Sequence, residues 1–66
     1  MDLKQFYGKK VQIKSKRGNN YEGFINDYIF PEDNEPKEEA IVIDDPLRKF
    51  PIELHAEEII SIEIIK

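Results

Sequence analysis

Apolar and polar positions alternate with a period of two through much of this 66-residue chain, the pattern of strands with one buried and one wet face. From Lys9 onward, Val11 and Ile13 fall on one side while Lys10, Gln12, Lys14 and Lys16 fall on the other. "RGNN" interrupts the alternation with Gly and Asn, residues that tolerate the positive φ of tight turns. It resumes at Tyr21, Gly23 and Ile25, which predicts a hairpin. Gly23 stands where a strongly bent strand curls over a small core. The preceding "DLKQFYG" has a different spacing: Asp2 as an N-cap, Leu3 and Phe6 at i and i+3, and Gly8 as a stop. It predicts one short helical turn packed across a barrel end.

Beyond the hairpin, "FPEDNEPKEE" is bounded by prolines and has no apolar period, so an exposed loop is expected. "AIVIDD" reads as a strand buried on both faces in its middle, and "DPLR" as a turn starting at Asp45 and Pro46. "KFPIELH" sets Phe50, Ile52 and Leu54 inward, with Pro51 marking an edge or irregular start. "AEEI" leaves room for only a single 3₁₀ turn. The last strand, "IISIEIIK", sets Ile60, Ile62 and Ile64 against Ile59, Ser61, Glu63 and Ile65. The expected architecture is one all-β domain over residues 1–66. It is a five-stranded, strongly bent antiparallel barrel with an N-terminal helical turn, a 3₁₀ turn before the last strand, and closed edges.

Composition narrows the functional classes. A chain this short buries only about 60% of its unfolded surface, and the absence of Cys removes disulfides, thiolate metal sites and Cys nucleophiles. "MDLKQFYGKK" has no apolar signal region and no run approaches a membrane span, so a soluble cytoplasmic protein without membrane partners is expected. Abundant Ile, Lys, Glu and Asn fit a bacterial protein of low-GC ancestry. The net charge is −4, unevenly spread: residues 1–17 hold six Lys and Arg against Asp2 alone, whereas the other four bases face thirteen acids. An acidic total argues against a dedicated phosphate binder but leaves room for a local basic stripe.

The run "GKKVQIKSKRGNNYEGFINDY" resembles the first conserved segment of Sm-like proteins. It has a Gly-Lys pair (Gly8, Lys9) before a V-x-I strand (Val11, Ile13), then a Gly-bearing turn (Gly18), an aromatic-x-Gly strand (Tyr21, Gly23) and an Asp-aromatic step (Asp27, Tyr28). "EEIISIEII" is similar to the 3₁₀ turn and closing strand of many SH3-like barrels. The resemblance implies an SH3-like, Sm-like barrel. For function it implies RNA binding through an Asn after the Asp-aromatic step and a basic Arg-Gly pair in a later loop. Here Asn34 sits among acids and "IELHAEE" has no Arg-Gly. Carboxylates beside a phosphate path repel it.

Two surfaces are candidates. The first is the acidic loop with its neighbouring aromatic, Phe30, Glu32, Asp33, Asn34 and Glu35, which suits a protein-interaction module recognising a basic partner at one barrel end. The alternative is weak single-stranded RNA or DNA binding through Lys9, Lys10, Lys14, Lys16 and Arg17, with Tyr28 stacking on a base. Those lysines also suit a purely solvated strand face. "EDNEPKEE" lacks EF-hand spacing, so the loop is expected to be solvated and to hold no metal. Asp44 and Asp45 are expected to shape the Asp-Pro turn, and the single His55 to sit partly exposed at a strand end. Ser15 and Ser61 occupy no nucleophile elbow, and there is no phosphate-binding glycine loop. A non-enzymatic binding module without a cofactor is therefore expected, as a monomer or a homo-oligomer.

Overall fold

The computed structural model describes residues 2–34 and 37–65. Five antiparallel strands form one sheet: β1 (Lys10–Ser15), β2 (Asn20–Ile29), β3 (Ala40–Asp44), β4 (Ile52–His55) and β5 (Ile59–Ile64), in the order β4-β3-β2-β1-β5. Single 3₁₀ turns cover Leu3–Phe6, Pro31–Asp33 and Ala56–Glu58. The first is capped by Asp2, whose carboxylate accepts the Lys4 amide, and it buries Leu3 and Phe6. Gly8 ends it at φ 76°, in the left-handed region that suits Gly.

β2 is the longest strand because it serves two partners. Its first half pairs with β1, from Lys10 opposite Phe24 to Lys14 opposite Asn20. Its second half pairs with β3, from Phe24 opposite Asp44 to Ile29 opposite Ala40. At the changeover Asn26 is an extra residue in the ladder, a bulge that sharpens the bend. Gly23 is needed there for space: a Cβ would collide with the Asp44 carbonyl oxygen. The bent sheet encloses Leu3, Phe6, Val11, Ile13, Tyr21, Ile25, Ile41, Ile43, Leu54 and Ile59.

Three expectations require correction. Phe50 does not point inward; it is 68% exposed, because regular pairing begins only at Ile52, after the bends of residues 48–50 and Pro51. In β5, Ile60 is 61% exposed and Ile59 is buried. Ser61 lies opposite Lys14 and Ile59 opposite Ser15, so Ile60 is bulged out and the face assignment reverses at that point. Finally, the edges are not closed by hydrogen bonds between β4 and β5. The turn Ala56–Glu58 redirects the chain without folding it back onto β4, and bonds of its own bridge the gap. The Ala56 amide donates to the Glu39 carbonyl (3.0 Å), and the Lys16 amide to the Glu58 carbonyl (2.8 Å).

Asp45 ties the two halves together. It is 3% exposed, and its carboxylate accepts the Leu47 amide at 2.8 Å and the Glu22 amide at 3.0 Å. Arg48 completes this corner, lying over the Tyr21 ring and donating to the Asn20 carbonyl. Turn shaping thus falls to Asp45, while Asp44 is exposed.

Candidate functional site

The end of the molecule where the first 3₁₀ turn meets the close of β2 forms a surface hollow of about 340 Å³, lined by Lys4, Tyr7, Asp27, Tyr28 and Phe30. Residues i and i+2 of an extended segment share a side, which brings Tyr28 and Phe30 together edge to face, with centroids 5.1 Å apart and planes at 86°. The 3₁₀ turn contributes Lys4 and Tyr7, and the Lys4 Nζ sits 5.3 Å from the Phe30 centroid. Asp27 is held at the rim by its own strand, its Oδ1 accepting the Tyr28 amide at 2.8 Å.

Glu39 fixes the inner wall. One of its oxygens accepts both the Leu3 amide (2.9 Å) and the Tyr28 hydroxyl (3.1 Å), joining the N-terminal turn, β2 and the loop before β3. Partial burial, this hydrogen bond and the charges of Glu39, Asp2 and Glu32 hold the Tyr28 phenol above its ordinary pKa. Of the expected interaction loop, Phe30 lines the hollow, and Glu32 and Asp33 lie beside it in the turn Pro31–Asp33, exposed. Asn34 is spent on structure, its amide donating to the Glu38 carbonyl at 2.7 Å. Glu35 lies outside the described residues.

The loop is less solvated than its acidity suggests. Besides Glu39, Glu38 is engaged: its Oε1 lies 2.8 Å from His55 Nδ1, while Glu53 Oε2 lies 3.0 Å from His55 Nε2. Burial lowers the pKa of His55, but hydrogen bonds to Glu38 and Glu53, with the charges of both, outweigh it and hold the value above the ordinary one. This half-buried His55 is an electrostatic clasp between the loop and β4. Among the described residues, no group of His, Asp or Glu is arranged to hold a metal ion.

The basic residues are placed differently. Lys10 and Lys14 share the outer face of β1, but Gln12 between them is flanked by Glu22 on β2 and Glu63 on β5. Lys14 opens onto a hollow with Gln12, Ser61 and Glu63, and Lys10 onto one with Glu22, Phe24, Asp44 and others. Lys9 precedes the strand, and Lys16 and Arg17 form the turn at its far end, all exposed. Tyr28 lies beyond the opposite end of the β1–β2 pairing, beside Lys4 instead of Arg17. Tyr28 thus stands beyond the Lys9–Lys10 end of the hairpin, and Lys16 and Arg17 lie at the other end.

Lys4, Tyr7 and Asp27 are site residues that sequence reasoning missed. The Tyr28-x-Phe30 spacing carried a signal, but the arrival of the N-terminal turn beside it depends on tertiary packing of Leu3 and Phe6. Comparison with protein-family models, with curated proteins and with solved structures gave no match.

Proposed function

We propose that this chain is a non-enzymatic protein-interaction module that engages a basic segment of a partner through the end bearing Tyr28, Phe30, Glu32 and Asp33. The observation that carries this reading is the hollow itself, where three aromatic side chains converge with Asp27 at the rim and further carboxylates around it. Aromatic surface supplies contact area at small entropic cost, and surrounding carboxylates speed the encounter with a cationic partner. Five antiparallel strands and the single 3₁₀ turn before β5 support the SH3-like, Sm-like reading of the sequence. Such barrels carry unrelated binding roles, so the site and not the fold supports the choice. Against nucleic acid stand Glu22 and Glu63, set between the lysines on the β1 face.

Fluorescence anisotropy with a labelled oligo-arginine peptide and a labelled oligo-uridine tests the choice. The peptide is expected to bind, to weaken between about 50 mM and 500 mM salt, and to be lost in Glu32→Lys/Asp33→Lys. Binding of the oligo-uridine alone, abolished by Lys10→Glu/Lys14→Glu, would overturn the proposal in favour of the basic hairpin.

A further inference from the structure

The aromatic hollow is already organised around a cation. The Lys4 ammonium lies 5.3 Å from the centre of the Phe30 ring, where the negative face of the ring quadrupole attracts positive charge. Tyr28 stands perpendicular to that ring, so two walls meet at a corner. Tyr7, 57% exposed, stands on the same rim as Asp27. The Asp27 carboxylate lines the same hollow, and the exposed Glu32 follows Phe30 in the next turn. Carboxylates around a hollow favour a cation in it. Among the described residues, Lys4 is the sole basic residue lining the hollow and makes no ion pair. Its hold on the site is therefore weak, a ring contact by a flexible side chain on an exposed turn.

We infer that this hollow receives one cationic side chain, lysine or arginine, from the partner's basic segment, and that Lys4 is an internal occupant which the incoming cation displaces. This rests on the interaction-module reading of the same end and names the group it recognises. Lys4 shields the aromatic corner in the free protein. On binding, its ammonium returns to water while the partner's cation takes the ring faces and Asp27.

The test follows the ring resonances of Tyr7, Tyr28 and Phe30 as the Nα-acetyl methylamides of lysine, arginine and norleucine are added. The two cations are expected to shift these signals saturably and norleucine to leave them in place. Lys4→Met should tighten cation binding roughly 2- to 5-fold, the range an exposed ring–cation contact supplies. Lys9→Met, which makes the same charge change outside the hollow, should leave it unaltered. Rings unmoved by either cation, an equal response to norleucine, or equal effects of Lys4→Met and Lys9→Met would each overturn the inference. The two proposals fail separately. An oligo-arginine peptide that shifts the Glu32 and Asp33 amides while the rings stay silent refutes the cation pocket alone. A peptide that fails to bind at any salt concentration refutes the interaction reading as well.

Discussion

The outer face of β1 and the aromatic end of β2 both looked charged in the sequence, yet folding treats them in opposite ways. Along the chain Lys10 and Lys14 belong to the most basic stretch, but sheet register places Glu22 and Glu63 on either side of Gln12 between them. Charge that is concentrated in sequence is diluted in space. At the other end, residues from the N-terminal turn, the close of β2 and the loop before β3 converge, held together by the shared acceptor Glu39. The feature that makes this end a candidate site is an assembly across three segments, with little charge density in any one of them beyond the loop.

Because β2 serves both regions, the hardest way to break the contrast is at its bend. Gly23→Ala is expected to cost on the order of 3 kcal/mol, since the new Cβ meets the β3 backbone at Asp44, which has no rotamer to give way. Urea unfolding measures it, and a loss under about 0.5 kcal/mol would mean that β3 slides easily past β2. Asp45→Ala is next, at about 2 kcal/mol, because the Glu22 and Leu47 amides lose a buried acceptor. Asp45→Asn should recover part of that loss in the same assay.

The clasp at His55 makes the aromatic end respond to pH where the β1 face does not. The folded chain holds this proton more tightly than the unfolded chain does, so the clasp contributes fully below the ordinary histidine pKa of about 6.5. That contribution disappears as pH rises through the higher folded value. His55→Gln is therefore expected to cost about 1 kcal/mol in mildly acidic buffer and progressively less on the alkaline side. Stability difference against pH, obtained from paired urea curves, checks the sign; a flat difference would mean that Glu38 and Glu53 do not act on the ring. The smallest effect belongs to Lys10→Gln/Lys14→Gln, expected to stay within about 0.5 kcal/mol because Lys14 is exposed, Lys10 is half-exposed, and a neutral amide adds no charge beside Glu22 and Glu63.

Local physics accounts for the parts of the fold that were legible. The Asp2 cap, the Val11/Ile13 alternation, Gly23 at the bend and the one-turn link before β5 each follow from the conformational needs of a few neighbouring residues. Phe50 and Ile60 were misplaced because a delayed strand start and a bulge shift the period without a compositional mark. Glu38 and Glu39 read as solvated loop acids, since their partners His55, Leu3 and Tyr28 lie far along the chain. Tyr28 and Phe30 were visible as aromatics. Their companions Tyr7 and Lys4 reach them only once Leu3 and Phe6 have docked on the core.

The most direct measurement is a map of backbone amide shifts on isotope-labelled protein, recorded first with the oligo-arginine peptide and then with oligo-uridine. The peptide is expected to move residues of the N-terminal turn together with Asp27 to Asp33, and oligo-uridine to leave the spectrum in place. Shifts confined to Lys9 through Arg17, produced by oligo-uridine and not by the peptide, would contradict it.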